Sequence, residues 1–254
     1  MSGLRLEKSV PIEDPYKLNW FIISESGIGK TSFCASIPDA YFLVTDPRGA
    51  DCVSVYGGDE TITTWDLFKD RAREFLEGNH KFKALVIDDI ASAWDLCATH
   101  LCKDKGKELL QDVATKGGGF DRCAVLFRRV LFPLFASGWP IFITCNDRYD
   151  TYESTQTEQS DYKVYPDVIR TARRVVVWKV HQMGRIYMKK IKESGRMVDR
   201  RVISFAPNSV FETKDRSKFL APHGDIVLEG PETDWPKVLD CFPEREEDAD
   251  TQTK

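Results

Sequence analysis

Residues 24–33 read SESGIGKTSF and follow directly on the apolar run Leu18-Asn19-Trp20-Phe21-Ile22-Ile23. Gly29-Lys30-Thr31 ends a near match to the phosphate-loop pattern G-x-x-x-x-G-K-[ST], with Ser24 where the first glycine belongs. That residue starts a turn, and serine tolerates turn conformations. Gly27 and Gly29 let the backbone curl so that successive N–H groups point inward at an anion. A short β-rich run before the loop and a helix from about Ile28 to Ser36 after it supply the context such a motif requires. The expected nucleotide contacts are Ser26, Gly27, Ile28, Gly29, Lys30, Thr31 and Ser32. Lys30 would bring charge to the β- and γ-phosphates and the Thr31 hydroxyl would hold Mg²⁺. The competing reading is a glycine-rich βα turn that binds nothing.

A second motif, Ala84-Leu85-Val86-Ile87-Asp88-Asp89, is an apolar strand ending in aspartate. Asp88 at the strand's end is placed to hold the metal. Asp89 suits either the cap of the next helix or the catalytic chemistry. A third candidate is Asn146, at the end of Ile141-Phe142-Ile143-Thr144-Cys145, either a γ-phosphate contact or simply a loop-start asparagine.

Outward from these motifs, apolar strands alternate with helical stretches. Further strands are expected at 41–45, 82–87, 139–144 and 174–180, with helices at 64–77, 90–102 and 120–137. Continuous apolar strands between helices predict an α/β fold with a doubly wound, mostly parallel sheet. After about residue 174 the pattern loosens, and Glu193-Ser194-Gly195 reads as a hairpin turn before the strand-like stretch 200–205. Antiparallel strands are therefore expected on the C-terminal side. Two segments, 103–119 and 147–171, resist assignment, and loops of that length are usually functional or mobile. The expected organisation is an N-terminal extension over 1–17, one nucleotide-binding domain over 18–243 and a disordered acidic tail over 244–254.

The bulk numbers exclude more than they prove. The chain has 254 residues, 42% hydrophobic and 30% charged, with a net charge of −4. That balance argues against a surface given over wholly to nucleic acid. Its seven cysteines include no C-x-x-C pair and read as reduced thiols. The four scattered histidines suggest no zinc site. Residues 1–17 are polar and charged, and no apolar run approaches the roughly 20 residues of a membrane span. The expectation is a cytoplasmic protein without a membrane partner, in the host cytoplasm if viral.

With these pieces in order, and with Lys214-Asp215-Arg216 near the C-terminus, the chain resembles the RecA-like P-loop ATPases. More closely, it is similar to small phage-encoded ATP-binding proteins related to single-strand annealing recombinases. The resemblance covers roughly residues 19–220. It implies ATP and Mg²⁺ as cofactors, a homo-oligomer, and single-stranded DNA and a single-strand DNA-binding protein as partners. It also implies that Lys214 and Arg216 reach the nucleotide of a neighbouring subunit as catalytic residues, with Lys30 and Asp89 catalytic in their own chain. The other reading of Lys214-Asp215-Arg216 is a solvated turn. One departure stands out. Asp46-Pro47-Arg48-Gly49 carries arginine where relatives often carry the glutamate that activates water, and arginine cannot be a base. Asp46 or Asp89 would have to replace it, or the protein mainly binds nucleotide.

For nucleic acid, Tyr149, Tyr152, Tyr162 and Tyr165 could stack on bases, but Asp147, Asp150, Glu153, Glu158 and Asp161 beside them repel phosphate. Segment 103–119 offers Lys103, Lys105, Lys107 and Lys116. The larger basic cluster is Arg170, Arg173, Arg174, Arg185, Lys189, Lys190, Lys192, Arg196, Arg200 and Arg201, which equally reads as a solvated face. Three functions are open: a DNA-recombination ATPase, a nucleotide-binding partner protein, and a small-molecule kinase.

Overall fold

Strand β1 (Trp20–Ser24) is buried along its whole length at the centre of the sheet. In the computed structural model, which describes residues 12–47, 49–153 and 160–243, the elements follow in order. After β1 come α1 (Lys30–Ala35), β2 (Ala40–Val44), α2 (Trp65–Glu77), β3 (Ala84–Asp88) and α3 (Ile90–Asp104). Then follow α4 (Leu110–Val113), α5 (Gly118–Ala136), β4 (Ile141–Glu153), β5 (Ser160–Pro166) and α6 (Arg170–Val177). The chain continues with β6 (Gln182–Glu193), β7 (Arg196–Ser204), β8 (Lys214–Asp215), β9 (Asp225–Leu228) and α7 (Asp234–Leu239).

The strand order is β2-β3-β4-β1-β6-β7-β9, with β5 paired to β4 and β8 to β6. The first five strands of that order run parallel, and β7 and β9 are added through antiparallel pairings, β7 to β6 and β9 to β7. The expected doubly wound sheet with antiparallel strands on the C-terminal side is what the chain forms. Alternate residues of β1 feed opposite faces. Phe21 and Ile23 join the cluster under α2, α3, α5 and α6, while Trp20 and Ile22 join Phe33 of α1 and Trp235 of α7. The Glu193-Ser194-Gly195 turn joins β6 to β7, with positive φ at Ser194 (48°) and Gly195 (85°).

The structure departs from the sequence expectation in one place and assigns the two segments that the sequence left open. Segment 174–180 is not a strand: Val175, Val176 and Val177 belong to α6, and the fifth parallel strand is β6. Buried Ala172, Val175 and Val176 fall at i, i+3 and i+4, so one face of a helix packs inward and Arg170 and Arg174 stay outside. Helical periodicity outweighed the β-branched propensity. Segment 147–171 is not a loop, because β4 runs on past the core and pairs with β5 from Asp147↔Pro166 to Glu153↔Ser160. Segment 103–119 contains α4 and leads into α5.

Residues 1–11 of the expected N-terminal extension, Arg48, Glu158 and the acidic tail from Glu244 lie outside the described residues, as do the side chains of Tyr152, Glu153 and Asp161. The described end of the extension docks on the core: Pro15 O accepts from Trp20 Nε1 at 3.3 Å, and Tyr16 meets Trp235 edge-on.

Candidate functional site

The loop after β1 leaves the carboxyl ends of the parallel strands, where open α/β sheets place their ligands. Gly27 (φ 80°) and Gly29 (φ 107°) occupy the left-handed region, which only glycine enters freely. The loop thereby turns from β1 into α1, whose first residue is Lys30.

Lys30 is buried, and its ammonium donates to Asn146 Oδ1 at 2.7 Å, Ser24 O and Oγ at 3.3 Å and Glu25 O at 3.4 Å. Burial pulls its pKa down, and the charges of Asp88, Asp89 and Asp147 oppose that pull only in part. Ser24, the relaxed position of the motif, therefore supplies two of the oxygens that steady the lysine.

One residue further, Thr31 Oγ1 donates to Asp88 Oδ2 at 2.8 Å. The other carboxylate oxygen of Asp88 accepts from the Thr144 hydroxyl. Asp89 caps α3 through Ser92 N at 2.8 Å, and burial raises its pKa. The Asp46–Gly49 turn lies alongside: Asp46 N reaches Asp88 O at 3.4 Å, and Gly49 leaves room beside Asp88 Oδ2. Two hard oxygen donors, the Thr31 hydroxyl and the Asp88 carboxylate, thus share one spot beside a buried cation, a donor set that suits Mg²⁺. Among the described residues, no group of three or more His, Cys, Asp or Glu is arranged to hold a metal ion.

The structure brings Lys30, Thr31, Asp88, Asp89 and Asn146 together at one end of the sheet, with the loop residues Ser26, Gly27, Ile28, Gly29 and Ser32 around them. It does not bring Lys214 and Arg216 there. β8 pairs with the first residues of β6, Gln182 and Met183, which lie opposite the start of β1. The loop leaves from the other end of β1, about 13 Å further along the strand direction. Lys214 Nζ donates to Val177 O at 2.8 Å and Val180 O at 2.7 Å, and exposed Arg216 reaches Trp178 O at 3.4 Å. Burial, aided by the Arg216 charge, lowers the Lys214 pKa to about 8. The unfolded lysine keeps its proton to higher pH, so the folded state gains on the unfolded one as pH rises between about 8 and the ordinary lysine value. The stability of the wild type relative to Lys214→Met should therefore climb across that window in denaturant titrations. A flat difference would refute the assignment.

Sequence reasoning missed Thr144 and Arg201. Thr144 was detectable as the one polar side chain inside an apolar core run. Arg201 came only as part of a basic cluster, which the structure divides. Arg185 is buried and paired with Asp147 at 2.8 Å, while Tyr149 OH accepts from it at 2.9 Å and donates to Glu25. Arg173, Lys189, Arg200 and Arg201 pair with Glu212, Asp225, Glu193 and Asp234.

A family model described as an AAA domain matches residues 17–217, most of the chain. The chain belongs to the AAA domain family. A P-loop ATPase domain, and with it nucleotide binding, is what the family implies. No curated protein matches the chain. Among solved structures, a KaiC-like protein from the hyperthermophilic archaeon Pyrococcus horikoshii OT3 aligns at 12% identity with a TM-score of 0.44, covering 89% of this chain and 99% of that one. Among the described residues of this AAA domain, no helix is long and apolar enough to cross a membrane.

Proposed function

We propose that the chain binds Mg²⁺-ATP at the loop and hydrolyses it as a homo-oligomer acting on single-stranded DNA, in recombination or strand annealing. The observation that carries the nucleotide half is the Thr31–Asp88 contact at 2.8 Å beside a buried lysine with only neutral oxygen partners. Thr31 and Asp88 would hold Mg²⁺, which when bound neutralises charge on the terminal phosphates. Lys30 orients those phosphates. The water's proton passes to a carboxylate: Asp89, whose raised pKa suits a base, or Asp46 on the adjoining turn.

The DNA half draws support from what ion pairing leaves over. Among the described residues, Lys163, Arg170 and Arg174 have no carboxylate partner. They line a cleft of about 690 Å³ with Tyr165 and with Trp178, whose side chain is 69% exposed. Free cations beside the open Trp178 ring suit a strand's phosphates and bases, while the Tyr165 ring is already covered by Arg173. ATP turnover at low salt, with and without single-stranded DNA, tests the whole reading. Turnover stimulated by DNA is expected, and DNA binding should fall as salt rises. Absence of any salt-dependent strand binding would remove the DNA half.

On this reading Arg216, at the far end of its own sheet, serves the nucleotide of a neighbouring copy. Arg216→Ala should lower turnover by on the order of 10³-fold with ATP affinity nearly unchanged. Equal loss of affinity and turnover would end the role in trans. A second reading is favoured by Arg48 in the place of a glutamate: ATP serves as a conformational ligand for a protein partner and is turned over slowly or not at all. Tight ATP binding without turnover would select it.

A further inference from the structure

Arg201 reaches the phosphate loop from β7, two strands away from β1 on the side opposite Asp88. It lies on the same face as Ile203, the face covered by α1 and α7. Its guanidinium presses so closely on Gly29 that a Cβ there would collide with Nη1. Nη2 pairs with Asp234, whose side chain is fully buried. The other Asp234 oxygen takes the backbone N–H groups of Glu229 and Gly230, both at 2.8 Å. Asp234 is therefore a fixed anchor, and it fixes Arg201.

A guanidinium carries five donors in a planar fork. Among the described residues, Asp234 is the only acceptor Arg201 meets, and the Arg201 side chain remains 19% exposed. Among the described residues, no Arg201 donor atom is buried without a partner, so the remaining donors of this pinned cation face solvent and are open to a ligand. The terminal-phosphate end of the site is already marked by Lys30, Asn146 and Asp88, all toward β4 and β3. Arg201 stands across the loop from them, over the first turn of α1.

Resting on the reading of the loop as a nucleotide site, we propose that Arg201 is a specificity-determining residue that grips the nucleoside end of the bound nucleotide. Its fork donates to sugar or base oxygens, and its plane offers a surface for the base. Arg201 thereby separates a nucleoside triphosphate from a bare polyphosphate, which the loop and Lys30 alone cannot do.

The test is displacement of a labelled nucleotide from wild type, Arg201→Ala, Arg201→Lys and Lys30→Ala by ATP and by inorganic tripolyphosphate, with thermal melts of each free protein. Arg201→Lys keeps a cation on Asp234 and so guards against misfolding. ATP affinity is expected to fall about tenfold or more in both Arg201 variants, with tripolyphosphate affinity within about threefold of wild type. Equal losses for both ligands would overturn the proposal, since Arg201 would then serve the phosphates. No loss for either would make Arg201 a strut between β7 and α7. Wild-type protein that binds neither ligand would overturn the loop reading itself. Wild type that binds ATP while Lys30→Ala does not leaves that reading standing, whatever Arg201 does.

Discussion

Lys30→Ala should weaken ATP binding by about 100-fold or more and leave the free protein at least as stable as wild type. The first effect follows from removing a cation whose contacts to phosphate oxygens are each worth about 1.5–3 kcal/mol, where 1.4 kcal/mol is tenfold in affinity. The second follows from the environment of the ammonium. It is buried, its pKa is held down chiefly by that burial, and its acceptors are an amide oxygen, a hydroxyl and two carbonyls. In the ligand-free chain the charge is a burden, and alanine lifts it. Calorimetric titration with ATP and a thermal melt of the same sample check both halves. Tight binding by the variant would refute the phosphate-loop assignment. A large drop in melting temperature would show that Lys30 serves the fold more than the ligand.

Trp20→Ala should be the most damaging single change to stability, costing about 3–5 kcal/mol out of a typical 5–15 kcal/mol. The indole is fully buried, stacked on Phe142 at 5.6 Å between ring centroids. It also meets Trp235 at 5.1 Å and Phe205 at 5.8 Å edge-on, and donates to Pro15 O. It thus joins β4, α7, the residue that follows β7 and the residues leading into β1, all of which lose a common partner. Urea unfolding followed by circular dichroism gives the number. A loss below about 1 kcal/mol would mean that the neighbouring rings close over the space, against the rigidity expected of a packed core. Saturating ATP should recover about 2.7 kcal/mol at a hundred times its dissociation constant.

What the sequence revealed, and what it hid, divides along the range of the interactions. The loop, α1, β3 and the Asp88–Asp89 pair are written in local patterns: glycines that permit a turn, an apolar run, an aspartate at its end. Their convergence followed because parallel strands place their carboxyl ends on one side. The valines of α6 misled because Val175-Val176-Val177 satisfies a strand propensity and a helix face at once, and only packing decides between them. The continuation of β4 was hidden because residues 147–153 are polar and pair with β5 outside the hydrophobic core, where no apolar alternation is required. Arg201 was invisible for a different reason. Its partner Asp234 is 33 residues away and its neighbour Gly29 far earlier in the chain, so nothing near position 201 sets it apart from Arg200, which pairs with Glu193 at the hairpin.

β4 is a single strand with two employments. From Ile141 to Cys145 it is clamped between β1 and β3. From Asp147 onward it belongs to a two-stranded arm that is pinned to the loop by the Glu25–Tyr149–Arg185–Asp147 chain of contacts. Asn146, the hinge between the two parts, is also the residue Lys30 holds. A ligand that drew the Lys30 ammonium toward itself would compete with Asn146 for it, at the point where the core strand becomes the arm. One strand thus ties the Lys30 contact in the core to the arm whose strand β5 borders the basic cleft.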